Sequence, residues 1–127
     1  KRAFVAMKGS NDWKAICDAI KKGVVAARFE PYVVMEGEDN EKIDDLIISE
    51  IRRSRFLIAD LTDQKQNVYF EAGFAKGLGL EVIYTCKKDQ VEDRMVHFDV
   101  RQSRIIDWHD LEDLSLRLEK RILASIV

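Results

Sequence analysis

Proline is almost absent from this chain, which has one, Pro31, in 127 residues. A proline-rich linker is therefore excluded, and no stretch has the composition of a low-complexity tract. Apolar residues make up 46 % and charged residues 35 %, which is typical of a globular protein rather than a disordered one. We therefore expect a single domain over residues 1–127, large enough for a core of its own.

An excess of charge of one sign is also missing. The chain has 21 Lys and Arg against 23 Asp and Glu, a formal net charge of −2. Without a basic excess to hold a phosphate backbone, we expect no nucleic-acid partner. The apolar runs are too short to cross a bilayer, and the first residues show no signal-peptide core. We expect a cytoplasmic protein with no membrane partner, either processed at its start or part of a longer chain.

Patterns of metal ligands are lacking as well. The two cysteines, Cys17 and Cys86, are far apart, no CxxC occurs, and His97 and His109 show no ligand spacing with them. We expect no metal and two reduced, buried thiols, as is usual inside cells.

What the sequence does have is an alternation of strand and helix patterns. Short apolar runs predict five strands, at residues 3–7, 31–35, 56–59, 81–86 and 104–106. Helical spacing predicts helices after an N-cap at Ser10, up to Arg53, from Asn67 through Leu78, and from Leu111 to Ile122. Right-handed crossovers between these strands predict an α/β fold. It is a flavodoxin-like three-layer sandwich whose mostly parallel five-stranded sheet has the order 2-1-3-4-5.

Sheets of this kind bind ligands at the carboxyl ends of their strands, where the strand order reverses. For the order 2-1-3-4-5 that point lies between the first and third strands. The candidate loops are therefore residues 7–10 and 60–63.

The segment 60–73 carries the most information about chemistry. Asp60 directly follows four apolar residues, so it is expected at the end of the third strand. Glu71 is four residues beyond Asn67, so the two share a face of the third helix, close to its start. The sequence therefore predicts that two carboxylates and a carboxamide converge there.

The opposite side of that helix carries Phe70, Gly73, Phe74 and Gly77. Glycine in a helix interior costs about 1 kcal/mol relative to Ala, so two glycines on one face predict close packing there. Asp60 and Glu71 also have a purely structural interpretation, because acidic residues often only complement a helix dipole or end a turn. For Asp60 and Glu71 together at a ligand edge, the two interpretations are evenly balanced.

Two stretches, Ile58-Ala59-Asp60-Leu61-Thr62 and Asn67 through Ala75, resemble the nucleoside 2-deoxyribosyltransferase-like and TIR-like nucleotide-binding proteins of bacteria. The similarity extends to residues 4–7, 42–54 and 98–101, and so covers most of the chain. It implies a flavodoxin-like fold and cleavage or transfer at the N-glycosidic bond of nucleosides or NAD-like nucleotides.

The resemblance also implies roles for individual residues. Glu71 corresponds to the catalytic glutamate, which attacks or stabilises the anomeric centre, and Asp60 would hold or protonate the leaving base. The implied substrate contacts are Met7, Lys8, Gly9, Thr62, Asn67, Tyr69 and Asp99. A nucleoside or nucleotide, NAD included, would be the substrate, no cofactor would be needed, and the protein would be a homo-oligomer.

One departure from the family pattern keeps alternatives open. Many relatives have a proline and an aromatic residue after the first strand, where this chain has Lys8-Gly9-Ser10. Tyr69 would then replace the missing aromatic residue beside the substrate base. The alternatives are a non-catalytic nucleotide-sensing or regulatory module and a TIR-like assembly domain.

Overall fold

The computed structural model describes residues 1–7, 12–34, 45–63, 66–92 and 104–126. Its strands are β1 (Arg2–Ala6), β2 (Glu30–Val33), β3 (Phe56–Asp60), β4 (Glu81–Lys87) and β5 (Ile106–Trp108). Its helices are α1 (Trp13–Ala26), α2 (Asp45–Arg52), α3 (Gln66–Gly77), α4 (Lys88–Glu92) and α5 (Leu111–Ser125). All strand pairs are parallel and the order is β2-β1-β3-β4-β5, so the predicted fold is confirmed.

The sheet is covered on both faces, which is why its strands are continuous apolar runs. Every residue of β3, the central strand, is buried. Alternate residues of this strand point to opposite faces, so Phe56 and Ile58 lie in one core and Leu57 and Ala59 in the other. The central strand therefore contributes side chains to both cores, and its last residue, Asp60, is also buried.

One core, the α1/α5 core, lies between the sheet and helices α1 and α5. Its largest fully buried side chains are Ile16, Ile20, Phe56, Ile58, Ile106, Leu114 and Leu118. The other, the α2/α3 core, lies under α2 and α3. Its largest fully buried side chains are Phe4, Ile47, Ile51, Leu57 and Leu61. Among the described residues, no helix is both long enough and apolar enough to cross a membrane.

Helices α1 and α5 approach each other closely at Gly23. A Cβ at this position would come within 2.8 Å of the Ser115 backbone oxygen and 3.3 Å of Leu118 Cβ. One turn earlier, Ser115 Oγ donates a hydrogen bond of 2.7 Å to the Ala19 carbonyl oxygen. The absence of a side chain at Gly23 therefore sets the distance between the two helices.

Several predicted boundaries were wrong. Helix α1 follows Asp12 rather than Ser10, which lies outside the described residues. Helix α3 starts at Gln66, so Asn67 lies inside the helix and is not its cap. Strand β5 lies two residues later than predicted. Helix α4 was missed because its five residues are too few to show a helical period.

The predicted packing of α3 was also wrong. Phe70 is 62 % exposed, and a Cβ at Gly73 or Gly77 would meet nothing within 4 Å. The buried side of the helix instead consists of Val68, Glu71, Ala72 and Ala75. Alanines suffice for a close approach to the sheet, so the glycines of α3 are not needed for packing.

Helix α3 ends at Gly77, within one residue of the predicted end at Leu78. Gly79 has a φ of +84°, which places it in the left-handed region that favours glycine. The Leu80 N–H donates to the Ala75 carbonyl and the Gly79 N–H to the Lys76 carbonyl, the two bonds of a Schellman motif.

A pair of glycine substitutions tests these two environments. Gly23→Ala should destabilise the protein by about 1–3 kcal/mol, because the new methyl group meets backbone that cannot move freely. Gly73→Ala should instead stabilise it by about 1 kcal/mol, since the position is open and alanine is the better helix former. Chemical denaturation of both variants measures the difference. A destabilised Gly73→Ala protein would contradict the exposed placement of this face.

Candidate functional site

Asp60, at the carboxyl end of β3, is buried and 4 % exposed. Its Oδ2 accepts a hydrogen bond of 2.6 Å from Thr85 Oγ1 on β4, and its Oδ1 accepts one of 3.1 Å from the Thr62 N–H. The second bond forms an Asx turn, in which the carboxylate reaches the backbone two residues ahead. Both carboxylate oxygens are therefore engaged by the protein itself.

The loop 61–63 after Asp60 is tied to the next strand and helix. The Leu61 N–H donates to the Thr85 carbonyl at 2.8 Å, and Thr62 Oγ1 accepts from the Lys87 N–H at 3.2 Å. Asp63 has a φ of +68° and exchanges two hydrogen bonds with the Gln90 side chain. These contacts fix the loop on β4 and α4.

The electrostatics of Asp60 are dominated by its burial. Loss of solvent raises the pKa of this carboxyl above its ordinary value of 3.8, because the charged form is poorly solvated inside the protein. Hydrogen bonds from Thr85 and Thr62 and the nearby Trp108 indole oppose the shift without cancelling it. Asp60 thus holds a proton more readily than an exposed aspartate.

Glu71 lies on the sheet-facing side of α3 and is 4 % exposed. It follows the first residue of the helix by five positions, or about 7 Å along the axis. Val68, one turn before Glu71, belongs to the same apolar core as Leu61, which follows Asp60. Asp60 and Glu71 therefore belong to one packed strand–loop–helix unit, in which both side chains are buried.

The other predicted contacts lie at several places around this unit. Met7 follows β1 at the level of Asp60, because Ala6 pairs with Ala59, and it packs against the α1/α5 core. Thr62 is buried in the loop 61–63, and Asn67 and Tyr69 are half-buried on α3. The remaining predicted contacts, Lys8, Gly9 and Asp99, lie outside the described residues.

Sequence reasoning missed Thr85 and Trp108, which complete the surroundings of Asp60. Thr85 is fully buried inside β4, where the run of apolar residues gave no sign that its hydroxyl had a partner. Trp108 ends β5, beyond the strand that was predicted. Register across the sheet brings both residues towards Asp60, and a single sequence contains no signal for that register.

A second feature of the same sheet edge is a cavity of about 580 Å³ beyond the ends of β4 and β5. It lies between the first turns of α1 and α5, and its described lining includes none of the predicted site residues that the structure describes. In the described part of the chain, no group of three or more His, Cys, Asp or Glu side chains is placed to hold a metal ion.

Both cysteines are buried and unpaired, as predicted. Burial raises the pKa of Cys86 to about 12, and the neighbouring Asp60 adds to the shift. A thiol with so high a pKa is a poor nucleophile at neutral pH.

Comparison of the sequence with protein-family models and with curated proteins gives no match. The interpretation of this site therefore depends on its geometry and on the motif resemblance.

Replacing Asp60 by asparagine tests its raised pKa. The folded state of the wild type binds more protons than the unfolded chain, so this group's contribution to stability falls as the pH rises through the folded pKa. We expect the free energy of unfolding of the wild type, relative to Asp60→Asn, to decline as the pH rises above about 4, the pKa of an unperturbed aspartate. Urea denaturation across this range measures it, and a difference independent of pH would show that the pKa is not raised.

Thr85→Val tests the hydrogen bond that Asp60 receives from β4. The variant keeps the shape of the side chain but leaves Oδ2 of Asp60 without its donor, which should cost about 1–3 kcal/mol of stability. The loss should grow as the pH rises and the carboxyl ionises. Thr85→Ser retains the hydroxyl and is the control, so an equal loss in Thr85→Ser would assign the effect to packing.

Proposed function

We propose that this domain cleaves or transfers the N-glycosidic bond of a nucleoside or an NAD-like nucleotide, with Glu71 acting at the anomeric carbon. The observation that carries the proposal is the placement of Glu71. It is a buried carboxylate on the sheet-facing side of α3, within the motif that resembles N-glycosidic enzymes.

The chemistry suits a carboxylate in such a place. As the bond from the anomeric carbon to the base nitrogen breaks, positive charge develops on the sugar ring. Glu71 would form a bond to that carbon or stabilise the charge, while the base leaves with the bonding electrons and takes up a proton. Water or a second base then attacks the anomeric carbon and releases the carboxylate. A buried carboxylate interacts strongly with such a charge because little water screens it.

Asp60 supports this proposal in a specific way. Its raised pKa favours the protonated form that a general acid needs. Its hydrogen bonds to Thr62 and Thr85 also hold the loop 61–63 in place. Asp60 would therefore position the loop whether or not it also protonates the leaving base.

A nucleotide-sensing module without turnover is the second candidate. It is favoured by the same hydrogen bonds, since a carboxyl that is 4 % exposed and engaged at both oxygens is better placed to hold a loop than to exchange protons with a substrate. In that case the site would bind a nucleoside or nucleotide and leave its glycosidic bond intact.

Product analysis by liquid chromatography and mass spectrometry tests the proposal. The protein is incubated at high concentration, so that a site shared between subunits can form, with NAD, NADP and a panel of nucleosides and nucleotides. A free base is added as an acceptor. We expect the wild type to release or exchange a base, and Glu71→Gln to lose at least about a hundredfold of the rate, the lower end of what a positioned acid or base contributes.

Glu119→Gln is the matched control, because it makes the same change on α5, away from the proposed site. It should keep the wild-type rate, and thermal melting should show that both variants are folded. A folded wild type without turnover across the panel, but with ligand-induced thermal stabilisation, would establish the sensing module instead. Equal rates in the wild type and Glu71→Gln would remove Glu71 from the mechanism.

A further inference from the structure

The cavity beyond β4 and β5 has the dimensions of a small-molecule site. Its volume of about 580 Å³ lies within the range of 300–1,000 Å³ that is typical of ligand pockets. A neighbouring hollow of about 430 Å³ shares Lys87, Trp108 and His109 with it, so the two form one depression. This depression lies on the α1/α5 side of the sheet, whereas Glu71 lies on the α3 side.

The inner wall of the cavity is apolar and aromatic. Trp108 and Ile16 are almost completely buried and form its base, Ala15 and Leu111 lie at its sides, and the largely exposed imidazole of His109 stands at the rim. A lining of apolar and aromatic side chains is typical of small-molecule sites.

The rim of the cavity is acidic. Asp12, Asp110 and Glu112 line it, and Asp89 lines the adjoining hollow, against two lysines. Lys87 and Asp12 compensate each other, since Lys87 Nζ lies 3.3 Å from Asp12 Oδ2. This leaves Asp89, Asp110 and Glu112 against Lys88, with Asp110 Oδ2 3.1 Å from His109 Nε2. The described contacts include no partner for Glu112, so its carboxylate is available to accept hydrogen bonds from a ligand.

An anion is poorly suited to this cavity even though a helix begins beside it. The Asp110 side chain accepts a 2.8 Å hydrogen bond from the Asp113 N–H and so occupies the start of α5. Glu112 and Asp113 add further negative charge to the first turn. One backbone donor of this turn is therefore already matched with a carboxylate, and the added negative charge disfavours a phosphate there.

We propose that this cavity binds a small planar aromatic compound bearing amine or amidine groups, with its ring against the apolar wall and its N–H groups at the acidic rim. The site goes beyond the proposed glycosidic activity, because it shares no residue with the proposed catalytic pair and does not depend on turnover. It adjoins the Asp60 surroundings, since Lys87 donates its backbone N–H to Thr62.

Binding is tested with one matched pair of probes, benzamidine against benzoate, neither of which resembles a nucleoside. Tryptophan fluorescence and thermal shift are followed during titration of the full chain. We expect saturable binding of benzamidine, with benzoate weaker by at least about tenfold, since an acidic rim repels it. Binding of benzoate as tight as that of benzamidine, or no binding of benzamidine to folded protein, would overturn the proposal.

Two variants locate the binding. Ala15 is exposed on the first turn of α1, so Ala15→Phe fills the cavity without disturbing the core, and it should abolish binding of benzamidine. Ala26→Phe makes the same change at an exposed position at the other end of α1 and should leave binding unchanged. Glu112→Gln should weaken binding by about two- to fivefold, as expected for one exposed charge. Unchanged binding in Ala15→Phe would place the ligand elsewhere and overturn the proposal.

Discussion

The carboxyl of Asp60 is a polar group at the end of the most buried strand, and the arrangement around it follows from that position. Burying a carboxyl costs free energy unless its oxygens are hydrogen-bonded. Thr85 on the neighbouring strand satisfies one oxygen and the Thr62 backbone satisfies the other. The register of β3 against β4 and the path of the loop 61–63 are therefore set by the same group.

The helices on the two faces of the sheet pack closely by different means. On one face, Gly23 removes a side chain so that α1 and α5 can meet backbone to backbone, and Ser115 adds a hydrogen bond across the contact. On the other face, α3 approaches the sheet through alanines and places Glu71 among them. Glu71 is the acidic residue on this buried side, and the proposed function assigns it a chemical role.

The sequence was sufficient to predict the fold because the strands are buried on both faces and so are short apolar runs separated by helical patterns. It was also sufficient to place Asp60 at a strand end, because the four residues before it are apolar. It failed for the packing side of α3, where small and large apolar residues surround the whole helix and helical spacing does not distinguish the sides. Phe70 looked like a core residue for that reason, and it is exposed.

The cavity could not be predicted at all, for a different reason. Its lining comes from the starts of two helices and the ends of two strands that are distant along the chain, such as Asp12, Lys87 and Trp108. None of these residues stands in a motif, and only the folded sheet brings them together. Local patterns can therefore reveal a site contained in one strand–loop–helix unit, as with Asp60 and Glu71, but not one assembled across the sheet.

Asp60 also lies between the strand–loop–helix unit that contains Glu71 and the cavity beyond β4 and β5. On one side it belongs to the unit that contains Glu71, and on the other it is bonded to Thr85, near Trp108 at the base of the cavity. Lys87 lines the cavity and donates its backbone N–H to Thr62, so the loop 61–63 contacts a residue of the cavity wall. Asp60 therefore lies between the two proposed sites in the structure.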